Sequence, residues 1–462
     1  MSLVHGTTKL SVQLSLITAL QIVLSFGVQW YVVTYYGAGF KTDALYTGWT
    51  IPQVLTTILI DTVSVVLIPA LSKCREEDVH RHGWMLFLAM GIGFLCLSGL
   101  LFLLMPWIIP VIVAGFSPAA KQLAISLSRV QIFGLVGTGC YAILTALCQV
   151  RNKFIWPALS VFIGAAANLG FVVWQLPRLG IDSAAWGQVI FNILPALLLL
   201  PELGRLRLTR WRVATLKHGW EQIRPIVLLK AYSMTSMPFD RFLASFLVPG
   251  SVVIFELVWR FYSAAIRVLS KGILTPFFPR LSRLAHTDNW QEFSSVYRRQ
   301  SRIMIGVASL VLVAVFLVAF LALIAVPAMP MRRLAGSLTS QDLSKISVVI
   351  LCMSGMLPFI GLTSSQVNAY YAMGDTKTPA RIGFLVYTIG IALRIVGFFA
   401  GGLAGMAVAV SCWAGLSYIV MEVALRKRWM LHKRLNESPE LRLTELHQEQ
   451  KGQPINVLDN LY

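Results

Sequence analysis

Charge is scarce in this chain, and acidic charge is scarcer still: 13% of its 462 residues are charged, with 20 Asp and Glu against 39 Lys and Arg. A soluble domain carries about a quarter charged residues, so a content that is 56% hydrophobic calls for a solvent other than water. Cysteine is also sparse. The six, at 74, 96, 140, 148, 352 and 412, lack both metal-ligand and disulfide spacing. His80, His82 and His218 fall in polar loops without ligand partners at helical spacing. No serine, cysteine or carboxylate pair has a base placed to activate it. Catalytic residues, a metal and a cofactor are therefore not expected. Period-two segments are missing, which argues against a transmembrane β-barrel. The first apolar stretch is too long for a signal h-region and shows no small-residue cleavage site, so no cleaved leader is expected.

What the chain has in quantity is apolar runs of about 20 residues, the length of a membrane-spanning helix. They lie near residues 10–36, 42–72, 83–112, 121–149, 154–176 and 182–202, and again near 218–247, 251–280, 301–326, 339–373, 377–398 and 402–426. The fold class is thus an all-α polytopic bundle of about twelve transmembrane helices. The net charge of +19 is not spread evenly. Arg205, Arg207, Arg210, Arg212, Lys217 and Arg224 crowd one loop, and Arg280, Arg283, Arg298, Arg299 and Arg302 another. Arg426, Lys427 and Arg428 open the tail, and the loop at 72–83 and the turn at Arg151–Lys153 fall on the same side. The opposite side holds few basic residues, among them Lys41, Arg178, Arg332 and Arg333. This positive-inside pattern places both termini in the cytoplasm and explains the basic balance without nucleic acid. Loops on the other side are short and leave no outer domain for a catalytic site.

The sequence repeats itself. Leu67-Ile-Pro-Ala-Leu-Ser-Lys73 closes the second span and Phe277-Phe-Pro-Arg-Leu-Ser-Arg283 the eighth, each about one long helix after a tight turn near Gly39 or Gly250. Arg151-Asn-Lys153…Pro157 is echoed by Asp375-Thr-Lys377…Pro379. Two six-helix lobes related by a pseudo-two-fold along the membrane normal follow, an arrangement of transporters with the substrate path between lobes. The expected division is residues 1–202 and 225–426 for the lobes, 203–224 for a basic cytoplasmic linker and 427–462 for a polar tail.

Charges within the spans cluster on the eighth. Glu256, Arg260, Ser263, Arg267 and Lys271 share one face, a mainly positive stripe suited to an anion such as a diphosphate. The plainer reading is a structural Glu256–Arg260 pair with Lys271 snorkelling to the interface. Arg260 and Arg267 lie too deep to snorkel, which favours a cavity. On the first span Gln21, Ser25 and Gln29 share a face, and either sugar recognition or interhelical bonding accounts for them. For Asp61 on the second span, Asp240 and Arg241 on the seventh and Arg394 on the eleventh the plain reading is a buried ion pair that fixes helix packing, and for Asp240 that reading is favoured.

Several pieces in this order, Gly37-Ala-Gly39 with Thr42-Asp-Ala44, Ile51-Pro52, Pro69, Ala114-Gly-Phe116, Ala244-Ser-Phe-Leu247 with Gly250-Ser-Val252, and Asp375-Thr-Lys-Thr-Pro379, resemble the MurJ/MviN-type lipid II flippases. These belong to the wider group of multidrug and oligosaccharidyl-lipid flippases. The resemblance runs through most of residues 10–425. It implies translocation of an undecaprenyl-diphosphate-linked sugar to the outer leaflet of the bacterial inner membrane by alternating access. It implies no cofactor, a monomer among membrane lipids, and contacts with polysaccharide or cell-wall synthesis proteins. Arg260 falls on a cavity arginine of the family, and Asp43 and Asp61 on acidic gating positions. The family's arginines in the first two spans correspond here to Ile22, Val28 and Thr56, and an acidic partner to Gln29. The family commonly has fourteen helices. These departures direct the expectation from lipid II toward an exopolysaccharide or O-unit precursor. Some relatives hold a sodium ion among groups of the seventh and eleventh spans; here Arg394 takes an aligned amide position, and its guanidinium is expected beside Asp240 in place of the ion. The alternatives are a cation-coupled multidrug exporter of the same architecture, which would favour acidic and aromatic site residues, and a membrane glycosyltransferase or ligase, which would need a substantial catalytic loop.

Overall fold

The computed structural model describes residues 2–58, 76–151, 153–204, 230–287, 289–325 and 337–437. Among them every regular element is helical, as expected where hydrocarbon offers no partner to an open backbone. The first lobe holds α1 (Ser2–Tyr36), α2 (Phe40–Gly48, continuing over 50–58), α3 (Glu76–Ile112), α4 (Pro118–Val150), α5 (Ile155–Leu179) and α6 (Asp182–Leu203). The second holds α7 (Ser236–Ser245), α8 (Ser251–His286), α9 (Trp290–Ala325), α10 (Ser340–Ala372), α11 (377–400) and α12 (403–437). Gly401 and Gly402 separate the last two, and Gly402 has a φ of +54° that favours glycine. Eight described helical stretches are long and apolar enough to cross a membrane, one of them containing both α11 and α12. α2 runs into residues outside the described set, and α8 carries Glu256, Arg260 and Arg267 in its first half.

The two lobes repeat one another in detail. α4 consists of 14 residues, Pro118–Gln131, a break, and 17 residues, Gly134–Val150. α10 consists of 14 residues, Ser340–Met353, a break, and 17 residues, Met356–Ala372. Both begin at a hydroxyl cap, Ser117 or Thr339, whose oxygen accepts from the backbone N–H three residues on. In each lobe the turn after the fourth helix is tied to the end of the sixth. Lys153 pairs with Glu202 at 2.8 Å, and Asp375 pairs with Arg428. The charge order is reversed, but the elements joined are the same. The repeat-related α3 and α9 lie at the periphery and expose apolar side chains such as Leu103, Trp107, Leu310 and Val318, the surface that lipid covers.

The lobes meet at the end marked by Gly250. The Asp43 carboxylate of α2 accepts from the backbone N–H groups of Gly250 (2.6 Å) and Val253 (2.8 Å) at the start of α8. It thereby satisfies two of the unpaired donors of a helix N-terminus, where negative charge is favoured. Gly250 has a φ of +95°, and a Cβ there would sit 2.4 Å from the Ala38 carbonyl oxygen. Gly115 donates to Ser245 Oγ at 3.1 Å, and Ser337 N–H to the Thr34 carbonyl at 2.7 Å. Val33 of α1 and Tyr46 of α2 join the apolar cluster of the second lobe. Asp43 is 2% exposed, so its carboxylate is shielded from solvent at this junction.

Inside the second lobe, Arg394 of α11 is fully buried and its Nε lies 3.1 Å from Asp240 Oδ1 of α7. Its guanidinium also stacks over Trp413 at 5.4 Å. The pairing expected from sequence is present. The rival, Arg241, turns to Glu256 instead, because neighbours on a helix point in different directions.

Some boundaries differ from the sequence expectation. Most of 280–302 is helix, α8 ending at His286 and α9 beginning at Trp290, and α12 continues to Glu437. Long basic helices cost nothing where they leave the apolar layer, so hydropathy underestimates their length. Asp61, the 67–73 half of the first echo, the basic segment 205–224, Arg332, Arg333 and the tail beyond 437 lie outside the described residues, as does the side chain of Lys271.

The buried pair makes a stability prediction. Asp240→Asn or Arg394→Met alone leaves an uncompensated buried charge and lowers stability by about 3–5 kcal/mol. The double variant loses less than either single one. Thermal unfolding of the purified protein checks this, and additive losses would refute the pairing.

Candidate functional site

α8 enters from the Gly250 end and lays its charged stripe between the lobes. Glu256 is 6% exposed and shared by two arginines. Its Oε1 accepts from Arg260 Nε at 2.6 Å, and its Oε2 lies 3.3 Å from Arg241 Nη2. Both arginines reach across to α2. Arg241 donates to Thr50 Oγ1, and Arg260 Nη2 to Gln53 Oε1 at 3.4 Å. Arg260 also sits over the Tyr46 ring at 5.4 Å. Buried charges need such pairing, because hydrocarbon and packed protein solvate them poorly.

Next to this cluster lies a cavity of about 410 Å³ between α1, α2, α5, α6 and α8. Arg260, Ser263 and Arg267 line it from the second lobe. Gln21, Ser25 and Gln29 line it from α1, joined by Gln53 and Thr56 of α2, Asn168 of α5, and Gln188 and Asn192 of α6. A second recess of about 340 Å³ continues it along α1 and α8, sharing Gln21, Ile22 and Arg267. Among the described residues no carboxylate lines either space, and Arg267 pairs with none. The lining is therefore cationic on one side and neutral but polar on the other.

The sequence-derived candidates separate accordingly. Arg260, Ser263, Arg267, Gln21, Ser25 and Gln29 meet at one cavity. Gln21, Ser25 and Gln29 make no hydrogen bond to another helix among the described residues, and the buried Oε1 of Gln29 has no partner there. Interhelical bonding therefore does not account for them. Glu256, expected in the substrate-binding set, does not line this cavity. It lines a smaller recess of about 160 Å³ with Asp240 and Arg241, and holds Arg260 from behind rather than facing the main cavity. Asp240 and Arg394 belong to the lobe interior, and Asp43 to the interlobe junction. Asn168, Gln188 and Asn192 were not singled out from sequence. Their only signal there is an amide inside an apolar run, and that signal does not tell a cavity from a helix contact.

The positions where the resembling family carries arginines, Ile22, Val28 and Thr56, all line the cavity and are uncharged here. Two guanidiniums line it, Arg260 and Arg267, side chains whose planar fork can meet an anionic oxygen pair.

Known proteins share this construction. The chain is 24% identical over 443 residues to the probable lipid II flippase MurJ of Vibrio cholerae, covering 86% of this chain and 78% of that one. It is 21% identical over 417 residues to the lipid II flippase MurJ of Burkholderia cenocepacia, covering 85% and 78%. Among solved structures it is similar to a lipid II flippase MurJ in an inward closed conformation, with a TM-score of 0.76 at 21% identity over 90% of this chain and 87% of that one. An inward-facing multidrug resistance MATE family transporter superposes with a TM-score of 0.73 at 14% identity, over 90% and 96%. These two likenesses show a common two-lobed helical fold. The sequence profile of the lipid II flippase MurJ matches residues 32–439, and the chain belongs to that family.

Proposed function

We propose that this protein flips an undecaprenyl-diphosphate-linked oligosaccharide from the cytoplasmic to the outer leaflet of the bacterial inner membrane, and that its cargo is an exopolysaccharide or O-unit precursor rather than lipid II. The observation that carries this reading is the cavity: two arginines on α8 face a neutral polar wall, and no described carboxylate lines it. A diphosphate of about two negative charges matches the two guanidiniums. The main cavity's described lining offers no carboxylate to a cationic drug, and the nearby Glu256 and Asp240 are already taken up by Arg241, Arg260 and Arg394.

In this reading the termini and basic loops are cytoplasmic, and the Gly250 end faces outward. Residues 1–202 and 225–426 act as the two lobes, joined by 203–224, with 427–462 as the tail. The outer junction centred on Asp43 closes the path outward, and cargo enters the cavity from the cytoplasmic side. Parting Asp43 from the start of α8, together with the Arg241–Thr50 and Arg260–Gln53 links, opens the outer side. Moving two negative charges outward across about 100 mV, inside negative, releases up to roughly 4.6 kcal/mol at about 2.3 per charge. The fixed guanidinium of Arg394 beside Asp240 supplies a permanent counter-cation, so the cycle needs no sodium.

Three outcomes test this. Arg260→Ala abolishes flipping in reconstituted vesicles while leaving membrane insertion intact, and Arg260→Lys keeps part of the activity because charge survives without the planar fork. Full transport by Arg260→Ala would remove the anionic-cavity reading. At ordinary expression the protein fails to rescue a strain depleted of its essential lipid II flippase; rescue would show that lipid II is accepted. Flipping by the unmodified protein proceeds at the same rate when sodium is replaced by potassium, whereas sodium-dependent flipping would contradict the role given to Arg394.

A further inference from the structure

We propose that the apolar groove between α1, α8, α9 and α10 holds the polyprenyl tail of the cargo, joined to the cavity through a seam made by Phe26 and Phe261. The proposal rests on the reading of the cavity as the site of a polyprenyl-diphosphate head group. It adds where the tail lies while the head group is bound, and by which side of the protein it leaves.

The groove has a volume of about 420 Å³. α1 contributes Trp30 to it, α8 Leu257, α9 Val318 and Ala322, and α10 Ile346 and Ile350. Its described lining carries no charged side chain and a single hydroxyl, that of Ser347. Leu257 and Val258 at its floor are buried, while Trp30 and Val318 at its rim are exposed, so it opens sideways onto the surface that lipid covers. Its position ties it to the head-group site. Arg260 and Phe261 are consecutive on α8 and therefore point in different directions: Arg260 lines the cavity and Phe261 the groove. Phe26 of α1 lines both spaces, and its ring centroid lies 6.4 Å from that of Phe261. Two aromatic rings thus stand between a cationic cavity and an apolar groove. A polyprenyl diphosphate joins the same two chemistries in one molecule, so a head group on Arg260 brings its first isoprene units to Phe26 and Phe261. The rings meet through dispersion, and the seam parts without breaking a hydrogen bond between them.

The other seam between the lobes has a different chemistry. The recess between α2, α7 and α8 presents Gln53, Asp240, Arg241 and Glu256. A hydrocarbon chain there would lie against buried charged groups that it cannot solvate. The tail is thus directed to the α1 side. The groove also has a definite depth. Phe261 is ten residues from the start of α8 at Ser251, and Phe26 ten residues from the end of α1 at Tyr36. At 1.5 Å per residue both rings lie about 15 Å from the Gly250 end. Trp30 and Leu257 lie closer to that end, so the groove runs from the seam toward it. The tail accordingly points toward the Gly250 end while the head group is still in the cavity, and it reorients before the head group crosses.

The test uses the full-length protein in phospholipid nanodiscs and undecaprenyl diphosphate carrying a photoreactive diazirine on an isoprene unit near the diphosphate. Cross-linked peptides are mapped by mass spectrometry. The label falls on residues 257–261 of α8 and 314–322 of α9, and excess unlabelled undecaprenyl diphosphate suppresses it. Ala314→Phe and Ala322→Phe, at exposed and half-buried positions of the groove, each lower this labelling about fivefold, as expected when a larger ring fills an apolar site. Both leave the binding of inorganic diphosphate unchanged, whereas Arg260→Ala weakens it. Val313→Phe, on a lipid-facing position of α9 outside the groove, alters neither readout. The groove is overturned if the label falls on other lipid-facing helices such as α3, or if the two filling variants label as the unmodified protein does. It is also overturned if a diazirine-bearing phospholipid chain labels it equally and undecaprenyl diphosphate does not displace that chain, which would make it a site for bilayer lipid. Arg260-dependent binding with the label elsewhere removes the groove alone. Failure to bind either diphosphate removes the head-group reading with it.

Discussion

A charge held away from water must be met by an opposite charge or a dense set of hydrogen bonds, and α8 is arranged around that constraint. Glu256 stands between Arg241 and Arg260 and serves both. Each arginine then extends to the other lobe, to Thr50 or Gln53 of α2. With one carboxylate for two guanidiniums, the cluster keeps a positive excess on the cavity side. A bound diphosphate would compete with Glu256 and Gln53 for Arg260. In the proposed cycle, that exchange links cargo binding to the interlobe contacts. The Asp240–Arg394 pair behind it joins α7 to α11 within the second lobe.

The junction at the Gly250 end uses a different interaction for a related purpose. Asp43 meets the backbone N–H groups of a helix start rather than a side chain. The bond requires close backbone approach, and Gly250 and Gly115 provide it, since a Cβ at either would lie 2.4 Å from a carbonyl oxygen of the opposite lobe. Such a contact is specific when formed and leaves no unpaired side-chain cation when broken. That property suits a gate that opens repeatedly. The matching breaks in α4 and α10 and the matching turn-to-helix ion pairs give each lobe its own internal bracing.

Much of the architecture was legible in the sequence, because hydrocarbon imposes long apolar runs and basic loops on any chain that crosses it. The stripe Arg260, Ser263, Arg267 was visible through helical spacing, and the Asp240–Arg394 pair through matching depths on two spans. Glu256 shares that spacing but takes a different role, since a helix face is wide enough for one edge to meet protein and the other a cavity. The partner of Arg241 was hidden because it depends on how α7 and α8 cross. The break in α4, at Ile132–Phe133, carries no proline signal and is bordered only by Gly134, whereas the break in α10, at Ser354–Gly355, lies one turn before Pro358, whose missing N–H leaves the Ser354 carbonyl without its helical donor. Asn168, Gln188 and Asn192 were hidden for a similar reason, as an amide in an apolar helix is equally at home against a neighbour or a ligand.

The central claim is that the α8 arginines receive a diphosphate. A structure of the protein in lipid nanodiscs with an undecaprenyl-diphosphate-linked neutral disaccharide tests it most directly. The account predicts diphosphate density within hydrogen-bonding distance of Arg260 and Arg267. Diphosphate density away from both arginines would contradict it.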